Sequence, residues 1–422
     1  MTTSGQPSAP GDAQGSKLKN VVATLIFAII LIAFTVESEL TQYVQSRLDF
    51  RQPFFIFYAV HSGFIIIFPL HLAYLLFSGY TVSALKASLT LAINDQFTPS
   101  YSATERLTAG AKKQLLILIV GLTTAYTVPA VLWFAAISLA SVTDVTAIYN
   151  TNAFFAYLFS VRFFNLKWDP IKLFAVCLAT LGTLCVVYAL STSTSLFARA
   201  EDMIKPTFPL LGHMLTFIAS IAYGLYQVLY KRYAALPSET DTDETGGAGG
   251  GAGYQPITSG EHDRELNRQL HSAVGENPWA ESINNTWGSS TIDEDVPSPP
   301  PFGLHPNFIT SSIGLATLVL GAPLLLAAHY GGIEEFRMPP DWSVGAGILG
   351  IMASGITFNA GFMILLSLWG PVVVSVGNLL TIVLVFVSDI LFGAGMSAVT
   401  IWSVVGSVGI MAAFGVLVTA GV

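Results

Sequence analysis

Apolar residues along this chain come in long runs rather than in alternation. Ten runs reach the length needed to cross a bilayer: Asn20–Thr41, Phe54–Phe77, Gln114–Ala136, Val142–Phe164, Ile171–Leu190, Pro209–Tyr230, Ile309–His329, Val344–Leu368, Pro371–Phe392 and Thr400–Val422. A run of this kind satisfies its backbone in hydrocarbon only as a helix, so the pattern predicts an all-α membrane protein with ten transmembrane helices. Two links, around Ser138–Ser141 and Trp369–Gly370, are short enough to predict helical hairpins. No small-residue cleavage site ends the first run, and it reads as a retained span.

Polar residues interrupt some of these runs. From Asp144 to Tyr157 the fourth run carries Thr146, Asn150, Thr151 and Asn152 in its middle. Thr146 and Asn150 are four apart and share a helix face that Ala153 and Tyr157 extend. Amides in hydrocarbon need partners, so this stripe faces either a solute cavity or neighbouring helices to which it bonds. A weak internal repeat accompanies it. Segment Ser141–Leu190 can be laid on Pro371–Leu417, with Ile148-Tyr149-Asn150-Thr151 falling on Asn378-Leu379-Leu380-Thr381 and Ala179–Gly182 on Gly406–Gly409. Repeats of five spans insert with opposite topology, and polar interruptions at matching depths mark the midplane site of secondary transporters.

Composition agrees with the pattern. Hydrophobic residues make up 53% of the chain and charged residues 10%, which sets aside a soluble globular domain. The net charge of −8 belongs to one loop: twelve acidic residues between Ala234 and Pro306 face only Arg264 and Arg268, so the rest of the chain is weakly positive. No nucleic-acid surface is indicated. The chain divides into an N-terminal tail expected to be disordered and cytosolic (1–19), a first five-helix repeat plus helix six (20–233), an acidic cytosolic loop expected to be disordered (234–306), and helices seven to ten (307–422). With the N-terminus in the cytosol, thirteen of the 18 Lys and Arg residues fall on that side. Both termini and the acidic loop are therefore expected there, and the sequon Asn284-Asn285-Thr286 is expected to be unused. Cys177 and Cys185, eight apart on one helix, lie ~12 Å apart along it, too far for a disulfide.

Candidate site residues follow from polarity at depth. Asn150, Asn378 and Asn359 lie well inside their spans and need partners there. Tyr223 and Gln227 are one helical turn apart, Tyr149 neighbours Asn150, and Tyr126 precedes Pro129, which frees a carbonyl and can kink its helix. Trp133 lies further along that helix. Glu37 and Glu39, with Thr41, fall ~25 Å along the first span, toward the non-cytosolic interface. An acid there can attract a cation or carry a coupling proton, or it is a solvated helix end. Asp144 reads as an N-cap or a complement to the helix dipole. The histidines show no metal-ligand spacing, and no nucleophile–base pair or phosphate loop occurs. No enzyme activity, catalytic residue, metal or cofactor is expected.

Several stretches resemble a known family. Gln52-Pro-Phe-Phe-Ile-Phe-Tyr58, Phe68-Pro-Leu-His71, Thr143-Asp-Val-Thr146 with Asn152-Ala-Phe154, Ala222–Lys231, Thr357-Phe-Asn359 and Pro371–Asn378 are similar to the pattern of solute carrier family 35, subfamily F, with its thiamine-transporter-like members nearest in pattern. These are proteins of the drug/metabolite transporter fold. The resemblance runs through nearly all ten spans and leaves out the N-terminal tail and the acidic loop. It implies two inverted five-helix repeats and alternating access.

Together these readings predict a secondary transporter for a small polar or cationic, vitamin-like organic solute. The expected site residues are Asn150, Tyr149, Thr146, Asn378, Asn359, Tyr223, Gln227, Tyr126, Glu37 and Glu39. Aromatic faces suit a planar cationic ring. Two alternatives stay open: a nucleotide-sugar antiporter, which needs basic residues in the cavity, and a non-transporting scaffold displaying the acidic loop. The partners expected are the solute, the bilayer, and a second copy through the small-residue face of the last helix. An endomembrane, vacuolar or Golgi, is the expected location.

Overall fold

The computed structural model describes residues 10–97, 106–140, 142–197, 208–236, 290–293, 296–298, 300–384, 387 and 400–421. The chain is built from helices: α1 (Pro10–Gln42), α2 (Pro53–Ser62), α3 (Ile67–Phe77), α4 (Val82–Phe97), α5 (Ala109–Leu139), α6 (Val142–Asn150) and α7 (Asn152–Phe163). They continue as α8 (Pro170–Phe197), α9 (Pro209–Tyr233), α10 (Leu304–Tyr330), α11 (Trp342–Asn378) and α12 (Ile401–Gly421). One short antiparallel pair, β1 (Ser290–Asp293) with β2 (Val296–Ser298), lies at the end of the acidic loop. Residues 237–289 of that loop, including Asn284, lie outside the described residues.

Among the described residues, seven helical segments are long and apolar enough to cross a membrane: Val21–Gln45, Pro53–Phe77, Ala109–Ile137, Pro209–Tyr233, Leu304–Tyr330, Trp342–Leu384 and Ile401–Thr419. The surface pattern is that of a protein solvated by lipid. Leu25, Ile29 and Ile32 on α1, and Val404, Val405 and Val408 on α12, are exposed, whereas Glu37, Asn150, Asn152, Gln227 and Asn359 are buried. In water that arrangement would be inverted. The chain is a helical, multi-pass membrane protein.

Among the described residues the ten apolar runs lie mainly on helix, but the helix ends and interruptions differ from the runs, and most of 385–392 in the ninth run lies outside the described residues. α1 ends in a π turn, Tyr43–Arg47, and a 3-10 turn, Gly63–Ile66, joins α2 to α3. α4 is an additional helix, too polar to read as a span. Trp342–Leu384 holds 43 residues, enough for two passages, and turns at Gly370, whose φ of 75° is open to glycine and strained for other residues. Pro371 follows, where its missing N–H costs nothing at a helix start.

Two further interruptions share one backbone pattern. At Thr151 the ladder shortens to i→i−3: the Thr151 N–H bonds Ile148 O at 3.2 Å and the Phe154 N–H bonds Thr151 O at 3.0 Å. At Leu379 the same step recurs, with Leu379 N–H to Val376 O and Ile382 N–H to Leu379 O, both 3.1 Å. Threonine hydroxyls bond back at each place, Thr151 to Ile148 O and Thr381 to Asn378 O, both at 2.7 Å. Such bonds compete with the helix ladder. The backbone matches Thr151 with Leu379, so Asn150 corresponds to Asn378. That register differs by two residues from the sequence overlay, which set Asn150 on Leu380.

The chain forms two units. The smaller comprises Met1–Leu25, Pro69–Leu116 and Gly250–His305. Within it Asn94 clamps the start of α5, its Nδ2 donating to Arg106 O and its Oδ1 accepting the Thr108 N–H, both at 3.1 Å. The larger comprises Ile26–Phe68, Ile117–Gly249 and Pro306–Val422. There α7, α8, the end of α11 and α12 share an apolar core of Tyr157, Val176, Ala179, Leu379, Ile382, Ile410 and Ala413. α8 and α12 meet so closely that a Cβ on Gly182 would lie 2.7 Å from Gly406 O. The last helix thus uses its small-residue face against α8 of the same chain, where the sequence alone suggested a second copy.

Candidate functional site

Inside the larger unit, α1, α2, α5, α6, α9 and α11 surround a cavity of about 40 Å³. That is room for a few waters, and far below the ~300–1,000 Å³ of a site holding a drug-sized ligand, so the walls stand drawn together. Its polar lining is Glu37 from α1, His61 from α2 and Asn359 from α11, and its aromatic lining includes Tyr126, Trp133, Tyr149 and Tyr223. Glu37 is 7% exposed and belongs to none of the ion pairs among the described residues, and no lysine or arginine lines the cavity. α11 approaches it through Gly355, where an added Cβ would stand 3.1 Å from Glu37 Oε1.

The rings form a connected wall. Tyr126 stacks on Tyr226 at 4.7 Å and Tyr149 on Tyr223 at 5.3 Å, while Tyr223 also faces Phe362 at 6.1 Å. His61 sits 4.5 Å from the Phe57 ring and 5.0 Å from Tyr126, with its Nδ1 2.9 Å from Phe57 O. A carbonyl can only accept, so Nδ1 carries the proton in that contact. The Tyr126 hydroxyl donates to Asn359 Oδ1 at 2.7 Å, and Asn359 Nδ2 donates to Gly355 O at 2.9 Å. Asn359 is thereby fixed in orientation and in turn positions Tyr126. Aromatic rings lining one cavity with a carboxyl that has no basic partner make a site suited to a cation.

A second polar layer ties α7, α9 and α11 together. Gln227 Nε2 donates to Asn152 Oδ1 at 3.2 Å, Asn152 Nδ2 donates to Tyr149 O at 2.8 Å, and the Ser375 hydroxyl donates to Gln227 Oε1. Thr151 and Ser220 share a hydroxyl bond of 2.8 Å beside it. This network holds the Thr151 turn and hence the position of Tyr149.

Five of the ten residues expected from sequence line the cavity: Glu37, Tyr126, Tyr149, Tyr223 and Asn359. Gln227 belongs to the second layer. Asn150 and Asn378 are buried away from the cavity lining, and Asn150 Nδ2 and Asn378 Oδ1 have no protein partner among the described residues. Glu39 is exposed and outside the lining. The side chains of Thr146 and Asp144 lie outside the described residues. Sequence reasoning passed over His61, Phe34 and Phe358 as site residues, and over Ser375. Ser375 lies within Pro371–Asn378 and carried a polarity signal; the phenylalanines carried none. Among the described residues no cluster of His, Cys, Asp or Glu is suited to a metal, and Cys177 and Cys185 are free thiols.

Outside the spans, the link from α10 to α11 is clasped onto the start of α2. Glu334 accepts the N–H groups of Phe54 and Phe55 at 2.8 and 2.9 Å, and Gln52 Oε1 accepts the Arg337 N–H at 3.0 Å. Two opposed effects act on Glu334: partial burial raises its pKa, the two N–H bonds lower it, and burial prevails. Its neighbour Glu335 is held below its ordinary value by the bond and charge of Arg337.

No protein-family model matches the chain, and no curated protein matches it. A solved structure described as "Crystal structure of protein" is similar over 95% of this chain and 98% of its own, with a TM-score of 0.49 and 15% identity.

Proposed function

We propose that this chain is a secondary transporter for a small organic cation, built as ten spans in two inverted five-helix repeats and working by alternating access. The observation that carries the proposal is Glu37, a buried carboxyl without a basic partner, set among the rings of Tyr126, Tyr149 and Tyr223. A cation suits both the charge and the rings. The matched turns at Thr151 and Leu379 support the repeat, since broken helices at corresponding positions are a hallmark of transporter cores. The sequence resemblance to the F subfamily of solute carrier family 35 points the same way and suggests a thiamine-like heterocycle. A nucleotide sugar fits less well, because its phosphates need cationic donors and Lys231 donates to Ser367 O at 2.7 Å instead.

In the contracted cavity the rings occupy the space a solute needs, so transport requires them to part. Rocking about the turns at Thr151, Leu379 and Gly370 is the motion these helices offer. Asn150 and Asn378, each directly before its turn, carry polar atoms for the wider state to engage. The test is uptake of thiamine and of N-methylquinolinium by purified protein in liposomes, beside a neutral analogue of each. Saturable uptake of the cations alone is expected. Uptake of neither, or equal uptake of the neutral analogues, would remove the assignment. Asn150→Ala with Asn378→Ala is expected to slow uptake, and wild-type rates in both would take those amides out of the path. Deleting Glu239–Ser298 is expected to spare transport, whereas a scaffold would lose its phenotype.

A further inference from the structure

The hydrogen-bonding groups that line the cavity are unevenly committed. Tyr126 spends its hydroxyl on Asn359 Oδ1, and Asn359 spends an amide N–H on Gly355 O. Trp133 can only donate, and the hydroxyls of Tyr149 and Tyr223 turn either way. Two acceptors remain uncommitted among the described residues, the carboxyl of Glu37 and one nitrogen of His61. They enter from adjoining walls. A Cβ on Gly355 would stand 3.1 Å from Glu37 Oε1 and 2.7 Å from Val60 Cγ1, the side chain directly before His61.

His61 is held in one orientation. Its Nδ1 donates to Phe57 O one turn back on α2 at 2.9 Å, and the rings of Phe57, Phe64, Tyr126 and Phe134 lie 4.5, 4.9, 5.0 and 6.3 Å from its own. No carboxylate pairs with it among the described residues. A charge buried among rings needs such a partner, so this surrounding suits the neutral imidazole, in which the nitrogen that does not donate accepts. That nitrogen is Nε2, on the edge of the ring away from the α2 backbone, and it has no protein partner among the described residues. Water meets it while the cavity holds water. A solute that expels the water must bring a donor of its own or leave the acceptor unpaired.

We infer that His61 is a specificity residue: its Nε2 accepts an N–H of the bound cation, so the preferred solute is a planar aminoheterocyclic cation that carries an N–H, not a fully alkylated one. The inference rests on the cation-transport proposal and narrows its substrate class. Both kinds of cation answer the charge of Glu37 and the faces of the tyrosines. Only the N–H cation also answers Nε2, and a difference confined to one buried acceptor is a difference in affinity between the two.

The experiment measures uptake by the purified full chain in liposomes. The probes are three N-methylquinolinium ions with an amino, a methylamino or a dimethylamino group para to the ring nitrogen. All three are permanently charged, and only the dimethylamino ion lacks an N–H. The wild type is expected to half-saturate at about tenfold lower concentration with the amino ion than with the dimethylamino ion. The methylamino ion, larger by one methyl yet still a donor, is expected to match the amino ion, a comparison that needs no variant. His61→Phe keeps a ring and loses the acceptor, and it should bring the three ions together by weakening the two donors. His61→Gln, which keeps an acceptor, should retain part of the preference. Equal half-saturation of all three by the wild type, a methylamino value midway between the others, or a preference that survives in folded His61→Phe overturns the role of His61 and leaves cation transport standing. Saturable uptake of none of the three overturns both.

Discussion

Around Gly182 and Gly406, α8 and α12 meet backbone to backbone; around Glu37, six helices surround a small cavity lined by a carboxyl, an imidazole and several phenols. Both regions lie in the larger unit. At the seam, backbones in contact gain dispersion along their length, which is how helices associate in lipid where no hydrophobic drive exists. At the cavity, polar groups are buried at a cost that packing alone would not select. On the proposed function, the seam serves folding and the cavity serves transport. Substitutions that separate stability from transport test that division.

The largest effect is expected at the seam. A Cβ on Gly406 would meet Val186 Cγ2 at 2.7 Å and its backbone N at 2.9 Å. Gly406→Ala should cost about 1–3 kcal/mol, and Gly406→Leu should yield no folded protein, read by thermal midpoint and gel filtration in detergent. Two unchanged midpoints would show that the helices can part there freely. Glu37→Gln is the converse. It should reduce cation uptake roughly 100-fold, about 2.7 kcal/mol at the transition state, while the midpoint stays or rises. A fall in midpoint matching the fall in uptake would place Glu37 with the seam, as a structural group.

Much of the seam was legible in the sequence, and less of the cavity. An apolar run of about 20 residues has one solution in a bilayer, and the described parts of these runs are mainly helical. Small residues on the last run, Gly406–Gly409, marked a surface able to approach closely, although not that α8 is what it meets. The cavity depends on where helices bend, and bends come from local competition for carbonyls that composition hides. Thr151 and Asn152 take the carbonyls of Ile148 and Tyr149, and the resulting turn accompanies a cavity lined by Tyr149 and not by its neighbour Asn150. Polarity at depth therefore singled out Asn150, while the residue at the cavity is its aromatic neighbour. His61 was equally hidden, because a histidine among phenylalanines reads as packing until its neighbours on α5 are known.

A finer separation is available within the ring wall. Tyr126→Phe removes the donor to Asn359 Oδ1 and leaves that buried oxygen without it. A loss of about 1–3 kcal/mol is expected, with uptake several-fold lower because Asn359 is no longer held. Tyr226→Phe removes a hydroxyl whose acceptor is the Met363 sulfur at 3.7 Å, a weak partner, and should cost under ~1 kcal/mol. Equal effects of the two would mean that ring packing, not the bond to Asn359, is what Tyr126 contributes.

The smallest effect belongs to the clasp outside both regions, and its sign can be worked out. Burial raises the pKa of Glu334 above the ordinary 4.5 despite the N–H groups of Phe54 and Phe55. The folded protein then binds that proton more tightly than the unfolded chain does. The contribution of Glu334 to stability is thus full below pH 4.5 and declines as pH rises through its folded value. Glu334→Gln removes this slope. The variant keeps one carbonyl acceptor and turns an amide toward the other N–H, so one bond is lost while the buried charge is relieved. Because Glu334 is partly exposed, solvent screens the balance, and the midpoint at neutral pH should move by the equivalent of less than ~1 kcal/mol. Measured from pH 4 to pH 7, the midpoint of the variant relative to wild type should climb as pH rises above 4.5. The opposite slope would show that the two N–H bonds outweigh burial, and that the ionised carboxylate is what holds the clasp.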